Sequence, residues 1–317
     1  MSNTAGTAPT RHYLPPGSVL DCYRVEEKIG SGGFSLIYLA VDEDGGGEVV
    51  IKEFMPKKFA RRDESFRVIP IDEQAQDSLN RGKALFFQEV AALSALRHPN
   101  VVAIRGFFLA NRTAYMVMEY YRGKNLAAFI KQRKGDLSTS FILRVFLPIL
   151  DAVNMIHTRQ YLHLDIKPNN IYLCTAGNEP ILLDFGAVHQ LKDGNQRRGS
   201  QVITAGYSPI EQYYQSGTIG PWSDVYAIGA SIRACMEARA PMTSLDRVKI
   251  TDPAKAMKPI TEVLKDRYPE YLLECIDWAM EMDPQARPKD AGELLAAIQS
   301  KRGRPKDKPV GSKYSPT

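Results

Sequence analysis

The spacing of apolar positions changes character about a third of the way along the chain. Residues 23–29, 36–41 and 48–52 are short β-branched or alternating segments separated by glycine-rich stretches, which predicts strands joined by tight turns. The acidic, glycine-dense stretch 42–47 fits a hairpin turn. An amphipathic helix is predicted over 86–96, stopped by Arg97-His98-Pro99-Asn100, followed by strands over 101–109 and 114–120. From Asn125 onward the period is helical. Ser138 or Thr139 caps a long apolar helix reaching His157, and further helices are predicted at 221–237, 269–280 and 289–298. Strands first and helices after predict an α+β chain of two lobes. Residues 1–18 are expected to form a disordered leader and 300–317 a basic disordered tail.

Composition narrows the class. Of 317 residues, 44% are hydrophobic and 24% charged, enough to build a core and incompatible with global disorder. No apolar run approaches the ~18 residues of a membrane span, the best stretch (141–150) being broken by Arg144 and Pro148. The first sixteen residues lack the apolar core of a secretory signal. Cys22, Cys174, Cys235 and Cys275 are scattered without metal-ligand spacing and fit reduced cytoplasmic thiols. Residues 301–317 carry six basic side chains against Asp307, which equals the whole chain's net charge of +5. The predicted body is therefore neutral.

The candidate chemistry lies in loops beside short strands. Gly30, Gly32 and Gly33, with Ser31 between them, form a glycine-rich turn between two strands; such turns are common, but glycines also let backbone N–H groups approach phosphates. An apolar strand then ends at Lys52, a position that gains meaning if Glu89 on the predicted helix fixes it. The decisive stretch is His163-Leu164-Asp165-Ile166-Lys167-Pro168-Asn169-Asn170, followed by Asp184-Phe185-Gly186. Two plain turns would explain Asp, Asn, Pro and Gly, but not Lys167 or the ordered succession after Lys52 and Glu89.

That succession resembles the eukaryotic-type (Hanks-type) Ser/Thr protein kinases, in a bacterial branch, from about Leu20 to about Ile298. The resemblance implies the bilobal protein-kinase fold, with a small antiparallel-sheet lobe bearing one main helix over 19–120 and a larger helical lobe over 121–299, and transfer of the ATP γ-phosphoryl group to Ser/Thr hydroxyls of protein substrates. It implies that Ile29, Gly30, Ser31, Gly32, Gly33, Phe34, Ser35, Leu36 and Ile37 cover ATP, with Lys52 on its phosphates and Glu89 fixing Lys52. Met118, Glu119 and Tyr121 would line the adenine site and Asn125 the ribose. Asp165 would accept the substrate proton, Lys167 would neutralise the moving phosphoryl group, and Asn170 and Asp184 would hold Mg²⁺, or Mn²⁺ in its place. Pro209-Ile210-Glu211 would pair through Glu211 with Arg287, and Asp224 would anchor the catalytic loop. Lys167 together with Thr204 points to Ser/Thr rather than Tyr acceptors.

Three departures stand out. Ser35 replaces the third glycine, Leu164 replaces the arginine usual before the catalytic aspartate, and Lys52 and Glu89 are 37 positions apart, about twice the family spacing. Leu164 argues against control by phosphate on the following segment, where Ser200 is preceded by Arg197 and Arg198. The extra sequence, 56–77, is expected to add a helix or hairpin to the small lobe. A pseudokinase scaffold is the alternative, disfavoured because Lys52, Asp165, Asn170 and Asp184 are all present. Residues 301–306 (Lys-Arg-Gly-Arg-Pro-Lys) resemble a minor-groove hook, which would bring a nucleic-acid partner; a solvated tail is the simpler expectation.

Overall fold

The computed structural model describes residues 12–134, 137–175, 177, 179–185, 189–190, 203–215 and 217–305. The chain divides into two compact units, one ending at Arg97 but regaining Val102–Tyr121, the other taking His98–Val101 and everything from Arg122.

The first unit contains β1 (Val19–Leu20), β2 (Tyr23–Ser31), β3 (Ser35–Asp42), β4 (Glu48–Phe54), β5 (Ala60–Arg62), β6 (Val68–Pro70), α1 (Ala75–Ala95), β7 (Ile104–Ala110) and β8 (Thr113–Glu119). Six strands form one antiparallel sheet in the order β1-β2-β3-β4-β8-β7. β4 is covered on both faces, because its alternate positions are all needed. Lys52 and Phe54 point toward α1, where Phe54 meets Phe86 and leaves no space for a side chain at Gly82. Ile51 and Glu53 point the other way and are fully buried.

The insertion between Lys52 and Glu89 resolves into an antiparallel hairpin, β5–β6, and an early start to α1. α1 begins eleven residues before the predicted helix. Gln76-Asp77-Ser78 and Asn80-Arg81-Gly82 obscure the periodicity there, although Ala75, Leu79, Phe86, Val90 and Leu93 are its buried stripe. β7 starts at Ile104 rather than at residue 101, since Val101 instead makes an isolated parallel bridge to Leu182 inside the second unit.

The second unit contains β9 (Gly123–Asn125), α2 (Leu126–Arg133), α3 (Thr139–Thr158), β10 (Tyr161–Leu162), β11 (Ile171–Cys174), β12 (Pro180–Leu182), β13 (His189–Gln190), α4 (Pro221–Glu237), α5 (Ser244–Lys249), α6 (Ile260–Val263), α7 (Glu270–Ala279) and α8 (Ala291–Ser300). Ser138 caps α3 by accepting the Phe141 N–H at 3.2 Å. Contrary to the sequence expectation, this 20-residue helix does have the length and mean hydropathy (1.6) of a membrane span. Arg144 and Asp151 fall within it, and ten of its residues pack into this unit's core, which accounts for its apolarity. α4, buried along most of its length, is the central helix.

Both ends of the chain are more engaged than expected. Leu14 is buried and its N–H donates to the Tyr38 hydroxyl at 3.1 Å, and the Gly17 N–H donates to Val25 O at 2.8 Å, so ordered contacts begin within the expected leader. At the other end, Lys301 closes α8 in the left-handed conformation and Gly303 (φ +68°) is buried against Glu274. Arg304 Nη1 donates to Glu281 Oε1 at 2.6 Å. The expected free tail therefore does not begin at 300: 301–305 are fixed by α8's cap and by carboxylates on and just after α7. Residues 1–11 and 306–317 lie outside the described residues.

Candidate active site

In the first unit, Lys52 Nζ lies 2.7 Å from Glu89 Oε1, with both side chains less than a tenth exposed. The pairing depends on β4 and α1 being packed face to face, and a buried ammonium without that carboxylate would be strongly disfavoured. The glycine-rich turn is closed by the Gly32 N–H donating to Ser35 O at 2.8 Å, with Gly30 paired to Ile37 and Ser31 to Leu36. Ile29 and Phe34 are exposed at 46% and 49%, the profile of apolar side chains without a partner inside the unit. Ile37 shares Lys52's face of the sheet. Leu36 does not: it pairs with Glu53, on the opposite face, and is buried there, so its side chain is removed from the expected nucleotide face. Met118 pairs with Val50 on Lys52's face and is half-buried. The Glu119 N–H donates to Ala103 O at 2.9 Å and its carboxylate takes a two-pronged contact from Arg105 at 2.8 and 3.0 Å. Tyr121 Oη accepts the Ala103 N–H at 3.3 Å.

In the second unit, the loop after β10 is built around a buried aspartate. Asp224, fully buried on α4, accepts the His163 and Leu164 N–H groups at 2.8 and 2.7 Å and pairs with His157 Nε2 at 3.0 Å. Burial alone would raise its pKa; the His157 hydrogen bond and the neighbouring positive potential outweigh it and hold the carboxyl below the usual 3.8. The two N–H groups it takes fix Leu164, which adopts φ +61°, and Gln212 Nε2 holds the Leu164 carbonyl at 3.0 Å. The Leu164 side chain packs with Leu162 and Ile219, so an apolar contact occupies the place of the expected arginine. His163 is fully buried: Nδ1 accepts the Asp165 N–H at 3.3 Å, Nε2 donates to Leu183 O at 3.3 Å, and its ring meets Phe185 at 4.6 Å. Both ring nitrogens are spent on backbone, as expected of a packing histidine.

Asp165 is the centre of the cluster. Its carboxylate takes Lys167 Nζ at 2.9 and 2.8 Å, the Thr204 hydroxyl at 2.7 Å and Asn170 Nδ2 at 3.0 Å. Lys167 Nζ also donates to Thr204 Oγ1 at 3.1 Å, which completes a triangle. Asn170 uses the same amide nitrogen on Asp165 O at 2.9 Å, leaving its amide oxygen as the donor for a cation. The Asn170 carbonyl accepts the Leu183 N–H at 2.8 Å, which draws Asp184, exposed and at φ +57°, to the same loop. Asn125, expected at the ribose, caps α2 through its side-chain oxygen, which accepts the Ala128 N–H at 2.8 Å. Glu211 and Arg287 meet as expected, at 2.7 and 3.1 Å. Gly186, Arg197, Arg198 and Ser200 lie outside the described residues.

Sequence reasoning missed the buried acid beside Lys52. Glu53 binds Arg62 of β5 and the hydroxyls of Tyr38 and Tyr115. The signal was present, since a second charge in Val-Val-Ile-Lys-Glu-Phe is unusual for a strand covered on both faces. The minor-groove hook is not supported: Gly303 is buried and Arg304 is bound to Glu281, so the Arg-Gly-Arg core is not available as a unit.

Comparison with known proteins agrees with this geometry. The model of the protein kinase domain matches residues 23–297. Serine/threonine-protein kinase PknA of Nostoc sp. is 28% identical over 289 residues, covering 87% of this chain and 47% of that protein. PknJ of Mycobacterium tuberculosis is 29% identical, covering 90% of this chain and 46% of that protein. A solved structure described as "PpkA-294 apo form" superposes with a TM-score of 0.79 at 30% identity, over 91% of this chain and all of the other. The chain belongs to the protein kinase family, and within it to the bacterial Hanks-type serine/threonine kinases. Its fold is that of the family, a curled antiparallel sheet lobe and a helical lobe. It spans about half the length of the curated bacterial relatives it matches.

Proposed function

We propose that the chain catalyses transfer of the γ-phosphoryl group of ATP to serine and threonine hydroxyls of protein substrates in the cytoplasm. The observation that carries this reading is the Asp165 cluster, in which a carboxylate is held by Lys167, Thr204 and Asn170. Asp165 accepts the hydroxyl proton and aligns the oxygen for in-line attack, and Lys167 offsets the charge that spreads over the moving phosphoryl group. Lys52, fixed by Glu89, holds the ATP phosphates, and the glycine-rich turn covers them. The oxygen donors of Asn170 and Asp184 suit a hard divalent cation, Mg²⁺ foremost and Mn²⁺ as a substitute. When bound, that cation supplies charge neutralisation at the phosphates.

The test is transfer of label from γ-labelled ATP to a general protein substrate, comparing the wild-type chain with Asp165→Asn at matched fold. The variant should keep its affinity for ATP and lose on the order of 10²–10⁴ in rate, the usual worth of a positioned base. Undiminished turnover would remove Asp165 from the mechanism.

A further inference from the structure

The insertion reaches under the sheet to the residue next to Lys52. Arg62, on β5, is 2% exposed and pairs with Glu53, which is fully buried one position after Lys52 on β4. The Glu53 carboxylate also accepts the Tyr38 hydroxyl from β3 and the Tyr115 hydroxyl from β8, each at 2.8 Å. Arg62 also donates to Tyr38 Oη at 3.4 Å, to Phe66 O at 2.7 Å, inside its own hairpin, and to His12 O at 3.3 Å, in the N-terminal segment. That segment is tied to the same group a second time, through the Leu14 N–H on Tyr38 Oη.

The hairpin that carries Arg62 also leads into α1. β6 ends at Pro70 and α1 begins at Ala75, whose N–H is taken by Asp72 Oδ1 at 2.8 Å. Between the two, the Ile71 N–H returns to Phe59 O at 3.1 Å. The Val68 N–H is held by Asn111 O at 2.8 Å, in the β7–β8 turn, and Lys83 Nζ of α1 is held by Arg112 O at 2.9 Å in that turn. The insertion is thus bound at one end to β4, which bears Lys52, and at the other to the helix that bears Glu89.

We propose that Glu53 and Arg62 are positioning residues for the Lys52–Glu89 pair: their buried contact fixes the hairpin, and the hairpin sets where α1 lies against β4. Strand geometry gives the reason. Adjacent residues of β4 point to opposite faces, so a side chain clamped at Glu53 restrains the backbone from which Lys52 projects. Glu53 Oε2 accepts from both Arg62 and Tyr38, and Tyr38 Oη in turn accepts from the Leu14 N–H and Arg62, so the group is one shared network that is intolerant of partial loss. The N-terminal segment from His12 to Gly17 belongs to the same clamp.

The proposal rests on the kinase reading only for its activity readout, so the test uses two measurements on the full chain. Glu53→Gln combined with Arg62→Met removes the contact without leaving a buried charge unpaired. First, amide hydrogen exchange should accelerate at least about tenfold over Phe86–Leu93 of α1, an opening of local rather than global stability, while α4 stays unchanged. Second, the KM for ATP should rise about tenfold and kcat should fall on the order of 10–10²-fold, the scale of a misplacement of about 1 Å. Adding Glu89→Gln to the pair should give no loss beyond that of Glu89→Gln alone. Unchanged α1 exchange with an unchanged KM would overturn the proposal, and so would losses that simply add to those of Glu89→Gln. Accelerated α1 exchange in a chain whose wild type transfers no phosphate would uphold the clamp and overturn the kinase reading. If the double variant does not fold, Tyr38→Phe with Tyr115→Phe removes two of Glu53's donors and keeps the charge pair, and the same outcomes decide.

Discussion

Replacing Arg287 by methionine tests how much of the second unit's stability rests on one buried ion pair. Arg287 is 1% exposed and meets Glu211, equally buried, through both terminal nitrogens. It also donates to the carbonyls of Glu281, Met282 and Trp222 at 2.6, 3.0 and 3.3 Å, and its guanidinium lies 4.9 Å from the Tyr226 ring. Methionine fills much of the volume but leaves the Glu211 carboxylate buried without its cation, with the Ser223 hydroxyl donating to it at 2.8 Å. Breaking a buried pair in this way costs about 3–5 kcal/mol. Three carbonyls losing their donor add to that, each up to about 1–3 kcal/mol where water does not reach. We therefore expect a loss of at least about 4 kcal/mol, or roughly 8–16 °C in the melting temperature of a unit of this size. Glu211→Gln should cost less, about 2–3 kcal/mol, because Arg287 keeps its carbonyls and the aromatic face. The double variant should fall short of the sum by about 2 kcal/mol. The assay is urea unfolding followed by intrinsic fluorescence. The chain has two tryptophans, Trp222 and Trp278, and both belong to the second unit next to this pair, Trp278 donating to Ala286 O at 2.8 Å. With excitation confined to tryptophan, the signal therefore reports this unit. A loss below about 1 kcal/mol for Arg287→Met, or strict additivity, would refute the reasoning.

Two further outcomes follow from the structure. Asp224 has a lowered pKa in the folded chain, so its ionised form contributes stability that is fully present above the ordinary value of 3.8 and is lost as pH falls through the lower folded value. The gap in urea midpoint between wild type and Asp224→Asn should thus be constant from neutral pH to about 4 and shrink below it; a gap that widens on acidification would contradict this. Removing 301–317 should cost about 1–2 kcal/mol more than removing 306–317 alone, through the lost α8 cap and the Arg304–Glu281 bridge, measured by calorimetry.

Much of the site was legible because its chemistry is local in sequence. Asp165, Lys167 and Asn170 are held within one loop, so their spacing already specifies their meeting. Lys52 with Glu89, Glu211 with Arg287, and Asp224 beneath the loop were reached through the family pattern, and each pair is formed. What was not legible involves exceptions to periodicity. The first half of α1 carries polar residues and Gly82, which its packing against Phe54 requires and its propensity opposes. Leu36 alternates to the wrong face for a nucleotide contact, a fact contained in the strand register and not in the motif. Arg62 lies in a hairpin whose sequence resembles a basic surface, yet it is buried because Glu53 waits beneath. Residues 301–305 have the composition of a free tail, and their fixing depends on α8's cap and on the sequence-distant carboxylates of Glu274 and Glu281.

The four thiols, scattered without pattern in the sequence, fall into two kinds in the fold. Cys235 and Cys275 are buried, and loss of hydration raises both, Cys275 to about 12, so neither offers thiolate to a reagent at neutral pH. Cys22 and Cys174 are both partly exposed, although partial burial and then the Glu179 charge raise the Cys174 thiol too, and one belongs to each unit. Without any substitution, the chain thus carries one addressable position per lobe. A pair of dyes or spin labels coupled there makes the natural protein a ruler for the distance between its two halves, with and without nucleotide.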